Sequence, residues 1–177
     1  MNRSFPPAMI ALVALLIALT TIFTLVVRVP VPATQGYVNL SAVAITFTGL
    51  VFGPWVGLAA GGVGAALADL LGGYAQFAWL SLLAHGLEGL VIGLLGRGRR
   101  STPAMILAWL GGAIMMVAGY LLGEGFALTG WPAAIAEAPL NAFQALIGAV
   151  VGIPLVFAVR RAYPPIDRLG QRPKWTE

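Results

Sequence analysis

The sequence contains no cysteine, a single histidine and few charges, which make up 9% of its residues. The lack of cysteine excludes disulfides, thiolate catalysis and cysteine metal sites. With His85 alone and no HExxH or G-x-S-x-G motif, the usual hydrolase sites lack a second metal ligand or a nucleophile and base pair. No phosphate-binding loop is present, so the chain is not predicted to hydrolyse ATP itself.

Hydrophobic residues, in contrast, make up 59% of the chain, and the mean hydropathy is +0.92. Soluble domains contain roughly 45–50% apolar and about 25% charged residues, so the composition indicates an integral membrane protein. Helices satisfy the backbone in lipid at these segment lengths, so we predict an all-α, compact bundle of six transmembrane helices. The apolar segments cover about residues 7–27, 38–52, 55–71, 79–96, 103–128 and 138–159. Gly53-Pro54 separates the short second and third segments, which form either a helical hairpin or a partly broken span.

The basic residues predict the orientation of this bundle, because positive residues in short loops stay cytoplasmic. With an even number of spans, nine of the ten fall on one side, and Arg28 falls on the other. We therefore expect both termini inside the cell, a single membrane domain over residues 1–163 and a cytoplasmic basic tail over 164–177. The outer loops are then 28–37, 72–78 and 129–137. The basic residues lie at the ends of apolar segments and not along a polar face, so a nucleic-acid partner is not predicted. The cytoplasmic set is Arg3, Arg97, Arg99, Arg100, Arg160, Arg161, Arg168, Arg172 and Lys174.

Ten polar side chains lie within or at the edge of the apolar segments. An ionisable group at bilayer depth costs at least about 2.5–3.5 kcal/mol, so these side chains are expected to point inward, at one another or at a ligand. Several share a helix face at i, i+3 or i, i+4, and the predicted topology brings them to one cavity that opens outward. Carboxylates, amides and aromatic rings there suit a small heteroaromatic solute. The ten are Asn39, Asp69, Gln76, His85, Glu88, Tyr120, Glu124, Glu137, Asn141 and Gln144.

Two alternatives to a ligand site remain open from the residues. Ser81 and His85 lie at i, i+4 on one segment and could form a hydrogen-bonded pair in an intramembrane enzyme, although no oxyanion donors are evident. The polar groups could also be structural hydrogen bonds in an assembly subunit, each worth about 0.6 kcal/mol. Separately, Ala14 and Ala18 form an AxxxA motif on the first helix, which indicates either internal packing or a docking face for another membrane protein.

An ordered series of short motifs runs along the chain. It comprises Gly36-Tyr37-Val38-Asn39-Leu40, Phe52-Gly53-Pro54, Gly61-Gly62-Val63-Gly64-Ala65-Ala66-Leu67-Ala68-Asp69, Gly72-Gly73-Tyr74, His85-Gly86-Leu87-Glu88-Gly89 and Pro139-x-Asn141-x-x-Gln144-x-x-x-Gly148. Over about residues 8–160 this series resembles the substrate-binding S component of energy-coupling factor (ECF) vitamin transporters. The most similar branch takes in riboflavin, pyridoxine and hydroxymethylpyrimidine types. His85 departs from the lysine that often precedes Gly-Leu-Glu-Gly in the last two.

The resemblance implies a binding subunit in a prokaryotic plasma membrane that captures a vitamin from outside. Its partners would be a membrane scaffold subunit and two cytoplasmic ATPases, which use the ATP; the chain itself would need no cofactor. Metal-transporting members use an N-terminal histidine, which Met1-Asn2-Arg3 lacks, so nickel and cobalt are disfavoured. The expected solute is pyridoxine- or hydroxymethylpyrimidine-like, with riboflavin next. Ala14 and Ala18 match the docking face, and the candidate solute residues are Asn39, Gln76, His85, Glu88, Tyr120, Glu124, Asn141 and Gln144.

Overall fold

The computed structural model describes residues 7–169. Residues 1–6 and 170–177 lie outside the described part, and with them Arg3, Arg172 and Lys174 of the charge count and most of the predicted tail. The described chain is a helical bundle with one small hairpin of strands. Its elements are α1 (Pro7–Val26), β1 (Arg28–Val31), β2 (Gly36–Asn39), α2 (Ser41–Phe52), α3 (Pro54–Leu58), a π-helical turn (Ala59–Val63), α4 (Gly64–Gly72), a 3-10 turn (Ala75–Phe77), α5 (Ala78–Gly96), α6 (Thr102–Gly123), a second π-helical turn (Glu124–Leu128), α7 (Trp131–Ala162) and α8 (Ile166–Leu169).

Five helical segments of the described chain are long and apolar enough to cross a membrane. They are Pro7–Val26, Pro54–Gly72, Ala75–Gly96, Thr102–Leu128 and Trp131–Ala162. The shorter α2 is also apolar and is buried along its whole length inside the bundle. The prediction of a helical, multi-pass membrane protein is confirmed at this level.

The segment after α1, expected to be an outer loop, contains an antiparallel β-hairpin instead. Arg28 pairs with Asn39, and Val31 pairs with Gly36. The two strands, RVPV and GYVN, contain β-branched and aromatic residues that suit a short ladder. Residues 38 and 39, assigned from the sequence to the second helix, belong to β2, and α2 begins at Ser41. The hairpin is therefore a departure from an all-α fold.

The last helix also differs from its expected bounds, because α7 begins at Trp131 and not near residue 138. Gly130, at φ 82°, turns the chain into the helix, and Pro132 occupies the first turn, where a missing N–H costs nothing. Pro139 and Pro154 lie inside α7, and such prolines are tolerated in membrane helices because neighbours satisfy the freed backbone groups. Residues 131–137 are thus helical, so Glu137 projects from a helix and not from a loop.

Close backbone contact joins the helical segment Pro54–Gly72 to α5. A Cβ atom on Gly57 or Gly89 would collide with the backbone of the other, so only glycine permits this approach. One turn further along, Gly61 packs against the backbone carbonyl of His85. The π-helical turn Ala59–Val63 lies at this helix–helix contact. The contact fixes the part of α5 that carries His85 and Glu88.

The two ends of the bundle differ in what they bury. One, called here the arginine end, carries the arginines around the α5–α6 connection and the end of α7. Its interior is an apolar core that includes Leu50, Ile92, Met105 and Val156. The other, called the hairpin end, carries the β-hairpin, the turn at 73–77 and the 124–130 segment. Its interior contains most of the buried polar side chains described next.

Candidate functional site

The centre of the buried polar cluster is the pair His85 and Glu88 on α5. Nδ1 of His85 lies 2.7 Å from Oε2 of Glu88, and the two side chains are 1% and 0% exposed. The other carboxylate oxygen of Glu88, Oε1, has no hydrogen-bond partner in the described structure. The imidazole packs edge-on against Tyr120, with ring centroids 5.5 Å apart. The hydroxyls of Tyr120 and Ser81 lie 2.6 Å apart and share a hydrogen bond. Side chains from α5 and α6 thus form one connected network.

This network changes the interpretation of Ser81 and His85 as a catalytic pair. The Ser81 hydroxyl bonds to Tyr120, and the His85 Nδ1 bonds to Glu88. A hydrogen bond between Ser81 and His85, which the alternative of a catalytic pair requires, is not among the contacts of the described residues. Ser81 is therefore placed as a partner of a phenol and not as an activated nucleophile.

The hairpin is tied to α4 through Tyr37 and Arg28. The phenol of Tyr37 donates a hydrogen bond of 2.6 Å to Oδ1 of Asp69, which is 3% exposed. Burial, together with this hydrogen bond and the nearby Asp69 charge, raises the pKa of the Tyr37 phenol above its ordinary value, so it remains a donor. Arg28 donates to the carbonyl of Gly72 at 3.3 Å and lies 5.6 Å from the centre of the Tyr37 ring. The hairpin therefore covers the Asp69 carboxylate.

A second set of contacts ties the hairpin to α7. The Thr34 hydroxyl donates to Oε2 of Glu137, and the backbone N–H of Asn39 donates to Oε1 of Gln144 at 2.5 Å. The Asn39 side chain in turn accepts from the backbone N–H of Ser41 at 2.7 Å, at the start of α2. Glu137, Asn39 and Gln144 thus fix the hairpin to the bundle, whatever else they bind.

Glu124 is different from the other buried carboxylates, because neither of its oxygens has a partner among the described residues. Its side chain is 1% exposed. It begins the second π-helical turn, and its backbone carbonyl accepts from the N–H groups of Thr129 and Gly130, each at 3.0 Å. Such π-turns interrupt helices frequently at functional sites. The side chain is thereby held in the wall of the inner cavity described next.

Two cavities lie at the hairpin end. The inner one has a volume of about 20 Å³, room for about one water. The outer one, of about 410 Å³, lies beside the tip of the hairpin and the second π-helical turn. Phe77 lines both. The inner cavity is lined by Thr24, Gly36, Tyr37, Asn39, Ala65, Asp69, Phe77, Ser81, His85, Tyr120, Glu124 and Glu137.

The structure divides the predicted solute residues into three groups. Those that line the inner cavity are Asn39, His85, Tyr120 and Glu124. Buried close by, but outside its lining, are Glu88, Asn141 and Gln144. Gln76 is exposed and lines the outer cavity.

Sequence reasoning missed some lining residues as candidates for solute contact. Asp69 and Glu137 were among the ten polar positions expected to point inward but not among the candidate solute residues, and both line the cavity. Thr24 gave no signal, because a threonine in a first helix is ordinary, and Gly36 and Tyr37 belonged to the motif series without being candidates for solute contact. The hairpin that carries Tyr37 and Gly36 could have been inferred only from the alternating Val-rich pattern of its two strands.

Comparison with known proteins supports the resemblance found in the sequence. Residues 6–161 match the sequence model of the family described as ECF-type riboflavin transporter, S component. The chain belongs to this family. Membership makes it the substrate-binding membrane component of a vitamin or vitamin-precursor transporter, and the family is one of transporter components and not of enzymes. The earlier expectation of an S component is therefore confirmed.

Individual relatives support the same assignment. An uncharacterised protein of Pyrococcus woesei is 37% identical over 146 residues, which cover 82% of this chain and 97% of that protein. The thiamine precursor transporter HmpT of Lactococcus lactis is 31% identical over 143 residues, 80% of this chain and 81% of that protein. A UPF0397 protein of Streptococcus pneumoniae is 35% identical over 68 residues, 38% of this chain and 37% of its own length.

Proposed function

We propose that the chain captures a small water-soluble vitamin or precursor at the hairpin end, from outside a prokaryotic cell. The observation that carries the proposal is the buried polar cluster, in which His85, Asp69 and Glu124 face one cavity although each is nearly inaccessible to solvent. Burying such groups in a membrane bundle costs free energy, and their presence therefore indicates a functional site. The solute we propose first is a hydroxymethylpyrimidine- or pyridoxine-like compound, and the second is riboflavin.

The chemistry of the cluster supports a small heteroaromatic compound. Carboxylates and the imidazole offer hydrogen bonds to ring nitrogens, amino groups and hydroxyls, while Tyr120 and Phe77 offer apolar ring surface. The name of the HmpT relative, a thiamine precursor transporter, favours hydroxymethylpyrimidine, and the name of the family keeps riboflavin in second place. The inner cavity has to widen for any of these, and movement of Phe77 would join it to the outer cavity.

We assign solute contact to the cavity-lining residues Asn39, His85, Tyr120 and Glu124. Gln76 would meet the solute first from the outer cavity. Behind this lining, Glu88 would orient His85, Gln144 would fix the hairpin, and Asn141 would orient Glu137, with which it shares a hydrogen bond. In this assignment the hairpin end faces outward, six helices including α2 cross the membrane, both termini are cytoplasmic, and the tail 164–177 lies on the cytoplasmic side.

The energy for uptake would come from two ATPases that act through a membrane scaffold subunit. The helix that docks on this scaffold would be α1. On α1, Leu16, Thr20 and Thr24 face the bundle, whereas Ala14 and Ala18 are exposed on the opposite side. A small-residue face directed away from the bundle suits close packing against another membrane helix. Ala14→Leu together with Ala18→Leu is expected to abolish uptake and co-purification with the scaffold while leaving ligand binding unchanged.

Thermal unfolding of the detergent-purified chain tests the binding proposal. Hydroxymethylpyrimidine, pyridoxine, thiamine, riboflavin, biotin and pantothenate would each be added at the same concentrations. A ligand at about 100 times its Kd stabilises the native state by roughly 2.7 kcal/mol, which raises the Tm measurably. We expect a rise with hydroxymethylpyrimidine or pyridoxine. No rise with any of the six would contradict the proposal.

A further inference from the structure

The inner cavity is lined by more acidic than basic side chains. Three carboxylates, those of Asp69, Glu124 and Glu137, line it, and His85 is the one lining side chain that can carry a positive charge. That imidazole is already paired with Glu88, at 2.7 Å. Any charge on His85 is therefore offset before a ligand is considered, and the three lining carboxylates have no cationic partner in the cavity wall.

Other groups near the cavity do not remove the imbalance. Asp69 and Glu137 accept hydrogen bonds from neutral groups, among them the hydroxyls of Tyr37 and Thr34. Arg28 packs on the outside of Tyr37, donates to a backbone carbonyl and is exposed to solvent. Hydrogen bonds from neutral hydroxyls orient a carboxylate but do not neutralise it.

Glu124 is the lining carboxylate most available to a ligand. It is 1% exposed, it lines the cavity, and both of its oxygens are without a partner among the described residues. A buried carboxylate in this state can accept a hydrogen bond at each oxygen, and a cation that donates there also compensates the buried charge. Asp69 adds one more free acceptor, Oδ2, at the same cavity.

We propose that this site binds its solute as a cation, and that Glu124 is the carboxylate that pairs with the protonated ring nitrogen. This inference rests on the proposed function and narrows its substrate class. Hydroxymethylpyrimidine and pyridoxine each have a basic ring nitrogen that can hold the proton. Riboflavin has no basic ring nitrogen at neutral pH and gains nothing from such a pair.

The test replaces the nitrogen and the carboxylate separately. Dissociation constants of the detergent-purified full chain are measured for hydroxymethylpyrimidine and pyridoxine, and for analogues of each in which the protonated ring nitrogen is C–H. We expect the carbon analogues to bind the wild-type chain on the order of 10- to 100-fold more weakly, as for loss of a hydrogen bond to a charged group. In Glu124→Gln the nitrogen and carbon compounds should bind about equally.

Glu137→Gln is the matched control, because Glu137 lines the same cavity but already accepts the Thr34 hydroxyl. It should keep the preference for the nitrogen compounds. Equal affinity of the nitrogen and carbon compounds for the wild-type chain would overturn the inference without any variant, as would an undiminished preference in Glu124→Gln. Tight binding of riboflavin that Glu124→Gln leaves unchanged would overturn it but leave the proposed function intact. Binding of no vitamin at all would overturn the proposed function itself.

Discussion

The two ends of the bundle bury different chemistry within one small fold. At the arginine end the interior is apolar, and the charges lie toward its edge in ion pairs such as the partly buried pair of Arg160 with Asp167 at 2.9 Å. At the hairpin end carboxylates, an imidazole and amides are buried, and Glu124 has no partner there. An apolar core stabilises a fold, whereas unpaired buried acceptors destabilise it. The comparison indicates that one end supplies stability and the other holds groups that bind solute.

The largest effect is expected from Ile92→Ala in the apolar core. Ile92 is fully buried, and its removal leaves a cavity that costs about 2–4 kcal/mol. Thermal unfolding in detergent should show a clear fall in Tm, while the affinity of the folded fraction for its vitamin stays the same. Leu94→Ala on the same helix is the control, because Leu94 is 63% exposed and should change the Tm little. A large loss of affinity in Ile92→Ala would contradict the assignment of stability to the arginine end and of solute binding to the hairpin end.

A smaller loss is expected from Gln144→Ala at the hairpin end. The change leaves the backbone N–H of Asn39 without its acceptor, at a cost of about 1–3 kcal/mol. Because this bond fixes the hairpin to α7, faster hydrogen exchange should appear in residues 28–39, measured by mass spectrometry. Phe143→Ala, next to it in sequence but 57% exposed, is the control. Unchanged exchange in the hairpin would show that other contacts hold it.

Tyr120→Phe is expected to cost about 1 kcal/mol, because it removes one hydroxyl partner of Ser81 and keeps the ring against His85. Ser81→Ala should cost a similar amount, and the two changes together should cost less than their sum, since they remove the same hydrogen bond. The Tm values of the four proteins check this. Strict additivity would mean that the 2.6 Å contact contributes nothing to stability.

The smallest effect is expected from Asp167→Ala at the arginine end. Asp167 is 23% exposed and forms ion pairs with the partly buried Arg160 and the exposed Arg100, and pairs in contact with solvent contribute about 0–1 kcal/mol each. The Tm should fall slightly, and less in high salt, because salt screens the pair in the wild-type chain. A fall as large as that of Ile92→Ala would make the ion pair a main support of the arginine end.

The sequence predicted a helical membrane protein and its buried carboxyl, amide and imidazole side chains, but not the buried threonines, because apolar runs and charges within them follow local rules. Apolar runs predict spans, and a glutamate such as Glu88 within a run predicts an inward side chain. The hairpin was not predicted, since its strands are short and their pairing depends on packing against the bundle. The start of α7 was placed too late, because Pro139 is tolerated inside a packed helix.

The candidate site was predictable as a set of residues but not as a geometry. His85 and Glu88 are neighbours on one helix face, so their contact follows from spacing. The contact of Thr34 with Glu137 joins positions far apart in the chain, and no local pattern predicts it. The same holds for the lack of hydrogen-bond donors around Glu124 among the described residues, because it depends on how all the neighbouring helices pack.

The most direct test of a solute site at the hairpin end is the dissociation constant of hydroxymethylpyrimidine for three forms of the purified chain. These are the wild type, Glu124→Gln at the hairpin end and Asp167→Ala at the arginine end. We predict that Glu124→Gln weakens binding by about tenfold or more, while Asp167→Ala leaves it unchanged. Equal affinities in all three, or a loss confined to Asp167→Ala, would contradict this account.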